Sequence, residues 1–317
     1  MNTGLKITAF AAALAATFGT AYGVGQGLDP VVADRAPAHD ERHATPSTGA
    51  DGHAGHDTPP AGGLQISESG YRLDLRTPRI TAGHRTELRF AVRDDHGRAV
   101  TEYRREHDKE LHLIVASRDL LTYRHLHPTR AADGTWATPV DLPRAGGYRV
   151  FADFTPAAGD ARGLTLGADL AASGSYRPQE LPRADGTARV DGYEVELTGA
   201  LRPGRASELR LSVSRGGKPV TDLQPYLGAY GHLVALRAGD LAYLHVHPGG
   251  APGDGKTGSG PVVSFTATAP SSGGYRLFLD FKHDGVVRTA AFTVHAGAAE
   301  AAATGTGTPE HSDGHGH

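Results

Sequence analysis

Two stretches of the chain repeat one spacing of three histidines. Residues 111–128 read LHLIVASRDLLTYRHLHP and residues 231–248 read GHLVALRAGDLAYLHVHP. In each, a first histidine (His112, His232) is followed thirteen positions on by a second (His125, His245). A third (His127, His247) comes two positions later, and then proline. A neutral imidazole offers one nitrogen lone pair to a divalent transition metal, and three such nitrogens with one open position make a familiar zinc or copper(II) site. The chemistry these residues can do is therefore ion ligation, provided the backbone brings them together.

The elements that would do so are β-hairpins. The apolar run after each first histidine and the YRHLHP or YLHVHP run both read as strands, with turns at Arg118-Asp119 and Ala238-Gly239-Asp240. Residues i and i+2 of a strand share a face, about 7 Å apart at Cα, so His125 and His127 lie on one side. A two-residue turn at Arg118-Asp119 sets His112 opposite His125, and a turn shifted by one residue sets it opposite His127. In both registers the three rings share a face and can converge on one ion, and the same arithmetic brings His232 to His245 or His247. The closing proline cannot donate to a ladder and ends each strand.

Around the hairpins the chain repeats itself. Residues 70–103 match residues 192–226 in strand alternation and in a Gly-rich turn before Val-Thr, and GGYRVFADF (146–154) matches GGYRLFLDF (273–281). Short strands at regular spacing, many glycines and prolines and few helical patterns predict an all-β fold: two tandem immunoglobulin-like β-sandwich domains at 64–172 and 187–296. Residues 173–186, rich in proline, read as a stiff connector. Residues 1–27 hold one cation, Lys6, then an apolar run, and read as a signal peptide or an N-terminal membrane anchor, a hydrophobic helix in either case. Residues 28–63 and 297–317 are low-complexity tails expected to be disordered. Their histidines, His39, His43, His53, His56, His311, His315 and His317, stand beside aspartates and favour weak multivalent metal capture.

Other candidates are weaker. His107 and Glu106, in EHDKELH, have no counterpart in QPYLGAYGH; they would give the first site a fourth ligand, or they belong to a solvated charged loop. Asp153 and Asp280 occupy equivalent places in the GGYR strands. They can orient a ligand histidine as outer carboxylates, or pair with Arg149 and Arg276 at the surface. His283, in FKHDG, reads as a turn residue and a minor ligand candidate. Tyr123 and Tyr243 share the histidine face as wall residues. GDGKTGSG at 253–260 lacks the opening glycine of a phosphate loop and reads as a flexible insertion.

Composition narrows the classes. A net charge of −3 gives nucleic acid no basic footprint. With no cysteine and only Met1, the soft ligands for Cu(I) are missing, and imidazole and carboxylate select copper(II) or zinc. Against ligation stands the reading in which the histidines are structural and pin loops through backbone carbonyls.

Both hairpins resemble those of a family of exported bacterial heavy-metal-binding, or copper-homeostasis, envelope proteins. There H-L-I-V-x-S-x-D-L leads into H-x-H-P, and Y-L-G-A-Y-G-H-L-V-A-L-R leads into Y-L-H-V-H-P; this chain carries HLIVASRDLLTYRHLHP and YLGAYGHLVALRAGDLAYLHVHP. The likeness spans about residues 64–296 and extends loosely to YtkA-like domains and the small β-sandwich copper carriers of the periplasm. It departs at Glu110-Leu111, where the family pattern has methionine before the histidine. The resemblance implies an extracytoplasmic address in the cell envelope, metal ions as ligands, and a metal transporter or metallochaperone at the membrane as partner. Together the residues predict an ion-binding, buffering or carrier protein that is not an enzyme, with binding that weakens below about pH 6.5 as imidazole protonates. The alternative is a tandem immunoglobulin-like module that binds a protein or glycan at the cell surface and uses its histidines structurally.

Overall fold

A computed structural model describes residues 61–159, 161–244 and 246–297. The expected N-terminal helix and most of both His-rich tails lie outside them. Among the described residues no helix is long and apolar enough to cross a membrane.

The described chain is all strand and turn, folded as two β-sandwiches of one design. In the first domain one sheet runs, in spatial order, Ser67–Glu68, Tyr71–Leu75, Thr86–Arg93, Thr135–Val140, Thr129–Arg130. The facing sheet runs Arg79–Thr81, Leu164–Ser173, Gly146–Pro156, Leu111–Ser117, Tyr123–Leu126. The second domain repeats this with Thr187–Val190, Tyr193–Thr198, Ala206–Arg215, Val262–Thr268, Val246–Pro248 facing Val286–Ala296, Gly273–His283, His232–Arg237, Tyr243–Leu244. This strand order is that of immunoglobulin domains. Both copies also carry a tyrosine at the start of the long GGYR strand whose hydroxyl donates to a carbonyl four residues upstream: Tyr148 to Arg144, 2.7 Å, and Tyr275 to Ser271, 2.8 Å. Such tyrosine corners fix the entry of that strand.

Alternation explains where each face goes. Every residue of Leu111–Ser117 is buried, which a strand covered on one side cannot achieve. Leu111, Leu113 and Val115 enter the core of their own domain, with Phe90, Trp136 and Val150. Ile114 and Ala116 point the other way, into a third apolar cluster built by both domains. That seam joins Ile114, Ala116, Leu120, Tyr123 and Phe151 to Val234, Leu236, Leu241, Tyr243 and Phe278. Its aromatic pairs cross reciprocally: Tyr123 stacks on Phe278 with centroids 4.1 Å apart, and Tyr243 lies 5.8 Å from Phe151. The two hairpin sheets therefore meet face to face, and the faces that carry His112 and His125 in the first and His232 in the second are turned toward the other domain.

Candidate metal centre

The first hairpin pairs Leu113 with Leu126 and Ile114 with His125, so His112 stands level with His127. The two-residue turn expected at Arg118-Asp119 is replaced by a four-residue loop closed by Ser117 N–H to Thr122 C=O, 2.9 Å. Ser117 Oγ accepts from the Leu121 and Thr122 amides, which frees Leu120, at φ 56°, to enter the seam. Apolar burial of Leu120 thus selects the shifted register.

His112, His125 and His127 each offer a ring nitrogen, and the three nitrogens lie within 4.8 Å of one another. His112 Nε2–H donates to the Glu106 carbonyl, 3.1 Å, and His125 Nδ1–H donates to the Asp280 carboxylate, 2.8 Å. Those acceptors fix both tautomers. His112 Nδ1 is left with a lone pair, 3.1 Å from His125 Nε2. Two imidazole nitrogens at that distance need a positive centre between them, either a shared proton or a metal ion. Ligand nitrogens around a tetrahedral ion with bonds near 2.0–2.1 Å stand about 3.3 Å apart, close to what is seen here. His127 Nε2 is buried with no hydrogen-bond partner among the described residues. Burial, then the neighbouring His125, holds His112 down to about 3; burial holds His127 to about 3 as well. Both rings are neutral at physiological pH, as ligation requires.

The outer partners follow a pattern known from metal proteins, in which a ligating histidine gives its second N–H to a carboxylate or backbone carbonyl. Asp280 is itself held by Thr289 Oγ1, 2.5 Å, and it belongs to the second domain. It neither faces solvent nor pairs with Arg276, whose guanidinium donates to Thr293.

The second hairpin behaves differently. Ala235 pairs with Leu244 and Leu236 with Tyr243, as in the first copy, but Val246–Pro248 then joins the opposite sheet. His247 pairs with Thr266 and is exposed. The expected second triad is not assembled by the described residues, and His245 lies outside them. His232 instead turns toward the first site. Its Nε2–H is shared by the carbonyls of Leu227, 2.9 Å, and Tyr226, 3.1 Å, and burial lowers it to about 4. Its ring lies 6.2 Å from His112 and 5.1 Å from His107. These rings, with His125, Asp153 and His247, line a cleft of about 430 Å³ between the domains.

The turn that carries His107 has a backbone counterpart, with Tyr226 and Leu227 in the places of Glu106 and His107. The bridge Glu106–Lys109 and the bridge Tyr226–Ala229 are equivalent tight turns, with positive φ at His107 and Asp108 and at Leu227 and Gly228. The signal was the shared five-residue spacing to His112 and His232, hidden by the difference in composition. Asp153 accepts from Thr165, 2.8 Å, at the cleft wall, while Arg149 bonds Asp169 and the carbonyls of Gly63 and Leu64. His283 is no turn residue. It ends the Gly273–His283 strand, buried between Tyr193 Oη, 2.7 Å, and Asp222, 3.0 Å, outside the cleft. The GKT insertion is an ordered turn in which Asp254 accepts from the Ala251, Lys256 and Thr257 amides, so a carboxylate already fills the place an anion would take.

No curated protein matches the sequence. Among solved structures, similarity extends to invasin, a bacterial integrin-binding protein, at 12% identity and TM-score 0.21 over 71% of this chain and 39% of that one. It extends to InvD of Yersinia pseudotuberculosis, at 14% identity and TM-score 0.22 over 73% and 58%, and to the D0-D1 domain of intimin, at 11% and 0.20 over 71% and 96%. The chain thus spans less than two thirds of the length of the first two. TM-scores this low carry no functional argument. The family model described as domain of unknown function DUF8832 matches residues 66–169 and again 188–298, one match for each sandwich. The chain belongs to the DUF8832 family, as two copies of its domain in tandem.

Proposed function

We propose that the chain binds a divalent transition-metal ion, zinc or copper(II), through His112, His125 and His127, and serves as a carrier or buffer of that ion outside the cytoplasm. The observation that carries this reading is the facing pair of nitrogens, His112 Nδ1 and His125 Nε2, 3.1 Å apart with both outer N–H groups already committed. The apolar run within residues 1–27 supports the address, and the resemblance of the hairpins to envelope metal-binding proteins supports the class and a membrane transporter or metallochaperone as exchange partner. Binding is favoured over catalysis because Asp280, the carboxylate bonded to the triad, is held on one side by His125 and on the other by Thr289.

The test is metal counting by native mass spectrometry on a chain whose tail histidines, His39, His43, His53, His56, His311, His315 and His317, are changed to Asn. The parent should hold about one ion, and a variant with His125→Ala and His127→Ala none. A folded parent that stays empty in zinc and in copper(II) overturns the reading.

A second reading is a surface-recognition module with structural histidines. It is supported by the immunoglobulin strand order and by the carbonyl partners of His112 and His232. The same empty, folded parent would favour it.

A further inference from the structure

The ligand triad belongs to the first domain, yet the carboxylate that orients its central ring comes from the second. Asp280 sits opposite His232 in the second domain's sheet, and its Oδ2 reaches across the seam to His125 Nδ1. The side chains of this pair are 5% and 3% exposed, so the contact exists only while the two sandwiches are docked. Undocking would free His125 to adopt its other tautomer, which turns a proton toward the ion position.

The apolar seam below the site makes docking a separable event. Its ten buried residues form a cluster distinct from the two domain cores, so each sandwich keeps its own core when the seam opens. The domains are joined by a strand-free connector, residues 174–186, from which only Leu181 packs on the seam cluster. A second strap precedes the first sandwich. Gly62 exchanges backbone hydrogen bonds with Tyr243 of the second domain, at 3.0 and 3.1 Å, while Gly63 bonds Thr165 and Arg149 of the first. At Gly63, with φ +73°, a Cβ would stand 2.3 Å from the Phe151 ring, so the strap crosses the seam only as glycine.

We propose that ion binding and domain docking are thermodynamically linked: the ion is a clasp that holds the two sandwiches face to face, and Asp280 is the positioning residue that transmits docking to the site. This rests on the ion reading above. Linkage is reciprocal, so whatever opens the seam must weaken the ion, and the ion must hold the seam closed by the same factor.

The experiment uses the full chain with the seven tail histidines changed to Asn, titrated with zinc alone, beside limited proteolysis of the 174–186 connector with and without zinc. Leu236→Asp opens the seam about 13 Å along the strand from His232 and touches no ligand. It should weaken zinc by about 10-fold or more, and Asp280→Asn by about 10–100-fold, the range typical of outer-shell partners. In the parent, zinc should slow cleavage of the connector; in Leu236→Asp that protection should largely vanish. Leu236→Ala, a milder opening, should fall between, and it carries the test if the Asp variant does not fold. Parent-like zinc affinity in a variant whose connector is readily cleaved overturns the clasp while leaving the ion site standing. A parent that takes up no zinc overturns both.

Discussion

The two hairpins carry the same three histidines at the same spacing and build different things from them. In the first, Tyr123–Leu126 stays on the strand Leu111–Ser117 and presents a triad. In the second, residues 246–248 leave for the opposite sheet. The pairing register explains how a conserved spacing can diverge. Arg130 pairs with Trp136 in the first copy, and Pro248 with Phe265 in the second. With the hairpins aligned at His112 and His232, and the partner strands at Gly146 and Gly273, these are one and the same register. Residues 126–128 and 246–248 therefore stand at a crossover where either sheet can claim them. In the second copy Thr266 offers an amide opposite His247. The equivalent residue in the first copy is Pro139, whose missing N–H falls on the side where Thr135 C=O bonds Ala131. A ladder cannot extend past that position, so residues 126–128 stay with the seam-side sheet and His127 keeps to its seam face. One proline lets the first copy keep its site.

The largest effect that tests this contrast is ligand removal. His125→Ala should weaken zinc by more than about 100-fold, beyond the 10–100-fold cost of losing an outer partner, whereas His247→Ala should change affinity by less than about 2-fold. Isothermal titration of the tail-substituted chain decides it, and comparable losses from both would mean that the second hairpin contributes equally to the ion.

Exchanging the crossover residues is a sharper test. Pro139→Thr should allow residues 126–128 to pair with the opposite strand, lower zinc affinity by about 10-fold, and give position 139 a slowly exchanging amide. Thr266→Pro should push residues 246–248 back toward His232–Arg237 and raise the ion count. If Pro139→Thr leaves both affinity and exchange unchanged, the proline does not decide the crossover.

The sequence makes the fold and the ligand candidates legible to different depths. Strand alternation, repeated glycine turns and the duplicated GGYR segment are local signals, and they yield two sandwiches of the observed order. The shared face of His125 and His127 follows from period two, and His112 joins them because the turn holds an even number of residues. The four-residue loop does not follow from period two, because it is set by Leu120 entering a seam made with another domain. Asp280 is visible as a candidate outer carboxylate, but its partner lies 155 positions away, across that seam. The different fates of His127 and His247 turn on one backbone donor of a third strand, missing at Pro139 and present at Thr266. Each of these turns on which surfaces meet, and a linear pattern is silent about that.

Acid tests the buried rings of the first site next. His112 and His127 sit near 3 and His232 near 4, all below the 6.5 of an unfolded chain. As pH falls below about 6.5 the unfolded state takes up protons that the folded rings refuse, so the stability these three rings contribute is present above that pH and is lost through the window from 6.5 toward 3. Urea denaturation of the ion-free chain at stepped pH should show this acid limb. His127→Leu should make it shallower, leaving the share of His112 and His232, and, by removing a buried nitrogen with no partner among the described residues, raise neutral-pH stability by about 1 kcal/mol. An acid limb that survives His127→Leu undiminished would mean that this ring is not the buried neutral base the geometry implies.

The smallest expected effect concerns the paired tight turns. The first copy places His107 and Asp108 at φ 49° and 63°, and the second places Leu227 and Gly228 at 54° and 72°. Only the second puts glycine where the left-handed backbone favours it. Asp108→Gly would make the turns alike and relieve a Cβ penalty, for a gain of up to about 1 kcal/mol in thermal unfolding. The turn also carries the Glu106 carbonyl that fixes the His112 tautomer, so a firmer turn should leave zinc affinity equal or slightly higher. A loss of affinity with unchanged stability would instead assign the Asp108 carboxylate to the site, and the first hairpin would then differ from the second by a ligand as well as by a crossover.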